Sequence, residues 1–183
     1  ALGLALLVSQ PGRGVGLLRT VILLPPVTSM VVASTVWGMM YHPNNGLINS
    51  ILQSVGLPAQ PFLTSADQAL PAIAAIAIWK DVGLYMLFFL AGLMNIPDEY
   101  YDAAKVDGAN SWQILRFITV PLLQRTTIFV LIVSTISAFK VFVPIKILTG
   151  GGPFSSTRVV VLYIFDLAFK FNRFGYATAI GVL

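Results

Sequence analysis

A chain of 183 residues that is 57% hydrophobic and 10% charged, with a mean hydropathy of +0.85, is too apolar for a water-soluble domain. Such domains run at about 45–50% apolar and about 25% charged residues. The composition predicts an all-α, polytopic membrane protein, with residues 1–183 forming one transmembrane domain. In that class a net charge of +4 sets orientation and does not mark nucleic-acid binding, and zero cysteines exclude a disulfide framework and a thiolate metal site.

In chain order, Ala1–Val8 is too short to cross a bilayer and reads as the tail of a span without a positively charged leader. Arg13 and Arg19 follow in a short basic loop. Thr20–Tyr41 reads as a full span despite Pro25 and Pro26, with Trp37 and Tyr41 placed for an interfacial belt. His42–Pro71 is a polar loop without Lys or Arg. Ala72–Asn95 is the next span, with Lys80 and Asp81 inside it. Pro97–Val120 interrupts the apolar pattern, and Pro121–Leu148 spans again. "TGGGPFSST" is a loop, Val159–Phe171 is amphipathic, and Gly175–Leu183 begins a last span. Both ends read as interrupted membrane helices, so the chain is expected to be a piece of a longer protein.

If the spans alternate, the Arg13/Arg19 loop and the stretch holding Lys105, Arg116 and Arg125 share one side, and the opposite loop 42–71 has no basic residue. The positive-inside rule puts 102–123 in the cytoplasm. Arg158, Lys170 and Arg173, in a segment assigned to the outside, oppose it.

That stretch has its own helical punctuation. Pro97 suits a first turn; Asp98, Glu99 and Asp102 favour the N-terminal end of a helix dipole, and Lys105 the C-terminal end. Gly108 is placed as a stop, and Asn110 with Gln113 predicts a capped second helix. Trp112, Leu115 and Ile118/Thr119 recur at helical spacing. Pro121 marks entry into the next span. Ala103 and Ala104 leave the first helix slim on one side. These features fit a solvated hairpin and a docking surface equally.

Charged side chains within spans are costly and face cavities or partners. Lys80 lies roughly 22 Å of helix from Asn95, and Lys140 sits toward the far end of its span. Lys80, Asp81 and Lys140 therefore either line a solute path or snorkel and pair within the bundle. Gly150–Pro153 reads as a turn, with an anion nest as the alternative. His42 has no second ligand at a metal spacing. No phosphate loop and no catalytic constellation occurs, so the chain is read as neither an ATPase nor another enzyme.

The run "DAAKVDGANSWQILRFITVP" resembles the EAA loop of permease subunits of binding-protein-dependent ABC importers. That pattern is E-A-A, three residues, G, nine residues, I, one residue, L-P. Here it reads Asp102-Ala103-Ala104, Gly108, Ile118, Val120-Pro121 in the same register, with Asp for Glu and Val for Leu. "IWKDVGLYMLFFLAGLMNIPDEYYDAAKVDGA" resembles the fourth span and coupling loop of the carbohydrate-type members. "LTGGGPFSSTRVVVLYIFDLAF" and "GYATAI" resemble the region after their fifth span.

The resemblance covers essentially the whole chain. It implies a permease helix bundle holding about five of six core spans, the first missing, with a cytoplasmic coupling loop at about residues 96–121. It implies a bacterial or archaeal cytoplasmic (inner) membrane, a second permease subunit, an extracytoplasmic solute-binding protein and a cytoplasmic ATPase dimer. The ATPase would bind ATP and Mg, with no cofactor in this chain. Asp102, Ala103, Ala104 and Gly108 would form the docking core, with Ile118 and Pro121 completing the motif. Lys80, Asp81 and Leu84, and Ser134, Ser137, Ala138, Lys140 and Val141, would line the path of a sugar, polyol or phosphorylated solute, or leave that solute mainly to the partner permease. One rival reading is a secondary transporter or channel coupled through Lys80, Asp81 and Lys140. Another is an intramembrane enzyme, for which only Asp81 qualifies.

Overall fold

The computed structural model describes residues 1–9, 12 and 14–182; Arg13 of the expected basic loop lies outside them. The described residues form helices, turns and loops, with no strand. Their packing separates two compact units, each made of two stretches of chain.

The first unit holds Ala1–Val27 and Lys80–Thr135. It contains α1 (Leu2–Ser9), α2 (Val15–Val27), the second half of α5 (Ala66–Met94), α6 (Asp98–Val106), α7 (Ser111–Ile114), α8 (Val120–Leu122) and most of α9 (Gln124–Phe139). Its core is Ala5, Val8, Met86, Phe89, Leu90, Leu123 and Val130. Arg19 lies in the second turn of α2, and its Nε donates to the Val8 carbonyl at 3.2 Å, capping the end of α1. Small residues set the close contacts. A Cβ at Gly83 would meet the Ile22 carbonyl oxygen at 2.3 Å, and one at Gly92 would meet Thr126 Oγ1 at 2.7 Å.

The second unit holds Thr28–Trp79 and the chain from Ile136 onward. It contains α3 (Met30–Met40), α4 (Leu47–Ser54), the first half of α5, α10 (Val143–Leu148), α11 (Val160–Phe165) and α12 (Phe174–Val182). Tyr41, Ala72 and Ile76 form one cluster; Ile73, Ile145 and Leu162 form another. The loop after α3 is organised by buried Asn49, whose amide donates to the Pro43 and Gln60 carbonyls at 3.0 and 2.9 Å. Its Oδ1 accepts from the Gln60 amide at 2.9 Å. His42 Nδ1 accepts from the Asn44 and Asn45 amides, a turn role. The glycine run is a turn tied by Thr157, whose hydroxyl lies 2.7 Å from both Thr149 Oγ1 and the Gly152 carbonyl.

Two apolar segments, Ala66–Met94 and Gln124–Leu148, are long enough to cross a membrane, and α2 with α3 makes a third if read as one broken span. The expected span 20–41 is thus two helices with a break at Thr28 and Ser29, just beyond Pro25 and Pro26. The loop expected to run to Pro71 ends earlier, because α5 starts at Ala66 and carries Pro71 in its second turn. The segment Gln124–Leu148 is interrupted after Phe139, and Pro144 opens α10. Leu17, Val27, Met39 and Ile78 expose 67–85% of their surface, as lipid-facing side chains do.

Candidate functional site

The segment from Pro97 to Leu123 folds as an elbow whose shape is set by local hydrogen bonds. Pro97 is the N-cap of α6, one residue before the first helical position expected for it. Asp98 and Glu99 occupy the first turn and Lys105 the last, matching the helix dipole. Gly108 adopts φ +77°. The Ala109 amide donates to the Ala104 carbonyl at 2.9 Å and the Gly108 amide to the Lys105 carbonyl at 3.1 Å. These two bonds make a Schellman motif, which closes the helix on orphan carbonyls. Asn110 and Gln113 then exchange side-chain-to-backbone bonds at 2.9 and 2.8 Å, a complete capping box that starts α7.

Beyond α7 the chain widens into a π-turn, Leu115–Thr119, before α8. Pro121 lacks the amide that would bond to the Phe117 carbonyl, and its ring would crowd that oxygen in a regular α-turn. The wider turn relieves the conflict. It also shifts the helix register. Of the residues that recur at helical spacing, Trp112 is 67% exposed and Thr119 is buried at 3%. Thr119 Oγ1 lies 3.4 Å from the Ile114 carbonyl and 3.5 Å from the Tyr101 hydroxyl, tying the second arm of the elbow to α6.

The elbow encloses an open hollow of about 350 Å³ lined by Ala104, Asp107, Gly108, Ala109, Gln113, Phe117 and Ile118. Ala104, Gly108 and Ile118 of the expected docking set therefore meet on one concave surface. Ala103 and Asp102 face outward, and Pro121 is exposed further along. Ala104 is 7% exposed, so its missing bulk serves the inside of the elbow, whereas that of Ala103 serves the outside. Asp102 Oδ1 accepts from Lys105 Nζ at 2.9 Å. This bond, and then the carboxylate charge, hold the ammonium above the ordinary lysine range. Tyr101, Asp107 and Phe117 were not singled out by sequence pattern. The Tyr101–Thr119 contact joins positions 18 apart with no motif between them.

The residues expected along a solute path divide between the two units. Lys80, Asp81 and Leu84 lie on α5 and Ser134 on α9, in the first unit; Ser137, Ala138, Lys140 and Val141 belong to the second. Lys80 Nζ donates to the Pro25 and Pro26 carbonyls at 3.3 and 3.2 Å. Ser134 donates to the Leu131 carbonyl of its own helix at 3.0 Å. Leu84 is 42% exposed. Ser137, Ala138 and Lys140 are exposed where α9 ends, and Val141 packs on the Ile73, Ile145 and Leu162 cluster.

Residues 2–183 match the family described as the binding-protein-dependent transport system inner membrane component. The chain is 35% identical over 182 residues to the trehalose/maltose transport system permease protein MalF of Thermococcus litoralis, covering 100% of this chain and 61% of that protein. It is 37% identical over 187 residues to the lactose transport system permease protein LacF of Rhizobium radiobacter, covering 99% and 62%. It is also 35% identical over 188 residues to the sn-glycerol-3-phosphate permease protein UgpA of Agrobacterium fabrum, covering 100% and 64%. The chain thus spans about three-fifths of the length of these relatives. Among solved structures it resembles a chain of a bacterial ABC transporter involved in the import of the acidic polysaccharide alginate. The TM-score is 0.85 at 28% identity, over 99% of this chain and 64% of that one.

Proposed function

The chain belongs to the binding-protein-dependent transport system inner membrane component family, and from that premise we propose that it is a multi-pass permease subunit of an ATP-driven importer for a sugar or related polar solute. The relatives named for trehalose/maltose, lactose and sn-glycerol-3-phosphate support that substrate class. The observation that carries the coupling role is the elbow: a short helix closed at Gly108, a capped second helix, and a hollow between them lined by motif residues. A surface so fixed by local bonds transmits a push from a bound partner, because it has few ways to yield.

In this reading Asp102, Ala103, Ala104, Gly108, Ile118 and Pro121 shape the cytoplasmic contact with an ATPase dimer. Closure of that dimer on ATP shifts the elbow and, through Pro121 and α9, reorients the spans. A second permease subunit completes the path, and an extracytoplasmic binding protein delivers the solute. Lys80, Asp81, Leu84, Ser134, Ser137, Ala138, Lys140 and Val141 are the candidates in this chain for lining its path.

The test is co-purification of the tagged protein with an ATPase subunit, combined with uptake of labelled maltose, lactose and sn-glycerol-3-phosphate. Uptake of at least one is expected to stop on ATP depletion and persist with a protonophore. Uptake that follows the proton gradient, with no ATPase bound, would sink the proposal.

A further inference from the structure

The last turn of α2 is gripped from α5 by two residues one turn apart. Lys80 places its ammonium on the Pro25 and Pro26 carbonyls at 3.3 and 3.2 Å. Three residues on, Gly83 is buried against the same turn. A Cβ built there would lie 2.3 Å from the Ile22 carbonyl oxygen and 3.1 Å from Pro26 Cγ.

Both contacts follow from the prolines. Pro26 has no amide hydrogen, so it cannot serve the Ile22 carbonyl as an ordinary residue four positions on would. Gly83 instead turns a Cα hydrogen toward that oxygen, a weak but real contact. α2 ends at Val27, so the Pro26 carbonyl lies in a last turn, where intrahelical donors run out. In hydrocarbon no water replaces them. Lys80 supplies a charged donor at that point, and among the described residues it forms no ion pair with its neighbour Asp81.

We propose that Lys80 is a positioning residue: with Gly83 it clamps the proline-bearing end of α2 and fixes where the chain breaks at Thr28 and Ser29, its ammonium being committed to backbone carbonyls and not to the transported solute. This goes beyond the proposed transport function and takes Lys80 out of the solute path. The clamp requires that α5 carry no side chain at Gly83 and hold a half-buried charge at Lys80, and it gives a single position to a helix end that prolines would leave loose.

The 183 residues hold no cysteine, so Ser29→Cys gives a unique attachment point within them for a nitroxide spin label. Ser29 is exposed and its hydroxyl makes no capping bond, so the substitution removes no hydrogen bond. The mobility of the label is measured by electron paramagnetic resonance in the assembled transporter, and the readout needs no transport. Lys80→Met is expected to shorten the rotational correlation time of the label about twofold or more, because the helix end is no longer held. Lys80→Arg keeps a cation that reaches both carbonyls and is expected to leave the spectrum as in the parent. A control label at the exposed Val106→Cys should respond to neither. An unchanged spectrum at Ser29→Cys in Lys80→Met, or an equal change at Val106→Cys, overturns the proposal. If Lys80→Met does not accumulate, Lys80→Arg decides: normal accumulation and spectrum support the clamp, and failure of both variants refutes it.

Discussion

Ala103 and Ala104 are neighbours with opposite surroundings, exposed and 7% exposed respectively. Ala103→Trp is expected to leave thermal unfolding unchanged and to abolish ATPase co-purification. Ala104→Trp overfills the elbow and should lower stability by about 1–3 kcal/mol, visible as a lower melting temperature whether or not an ATPase is present. Gly108 separates conformation from bulk, since a Cβ there would meet nothing within 4 Å while φ is +77°. Gly108→Ala should cost about 1–2 kcal/mol, the left-handed penalty for an L-residue, and Gly108→Asn clearly less, because asparagine tolerates that region. Equal losses in the two melting curves would point to sterics. The exposed Asp102–Lys105 bond has a defined pH sign. The lysine is held up in the folded chain, so its small contribution is full below the ordinary lysine range and fades as pH rises through the raised value. At this scale the sequence was legible where one residue type does one local job, as with Gly108, Asn110 and Gln113. It was silent on Ala103 against Ala104, because only packing from the second arm distinguishes them.

Elements show where local rules met a competing constraint. The capping box and the stop at Gly108 appear as the pattern implied, because both depend on residues a few positions apart. The π-turn at 115–119 was not legible, since a helical repeat of apolar residues carries no mark of one extra residue per turn. The break after α2 was not legible either. Prolines are tolerated in membrane helices when neighbours satisfy the backbone, and the neighbour here is 54 and 55 residues from the two carbonyls it serves. α5 depends on close approach at two glycines, with different consequences. Gly83→Ala drives a methyl into a backbone oxygen that cannot swing away, whereas Gly92→Ala meets the Thr126 and Leu123 side chains. Gly83→Ala is therefore expected to lower the melting temperature strongly and Gly92→Ala mildly. Thr126→Ala should restore part of the Gly92→Ala loss and none of that of Gly83→Ala.

At the level of the whole molecule, composition alone identified the solvent as lipid, and the exposed apolar residues on α2, α3 and α5 bear that out. The protein should stay in the membrane pellet through alkaline carbonate extraction, whereas a peripheral protein would be released. Which helices meet was beyond the sequence, because uniformly apolar spans offer no amphipathic stripe to read; small residues and stray cations decide it instead. The elbow carries one more consequence. Apart from the Tyr101–Thr119 contact, the bonds that shape it join residues no more than five apart in the chain. Closing so short a loop takes nanoseconds to microseconds, whereas the clamp on α2 joins residues 54 and 55 positions apart. The elbow's shape is therefore specified by its own residues, with little help from the rest of the chain. The part of the protein proposed to receive mechanical work is defined locally, and the part that the work would move is defined by contacts from far along the sequence.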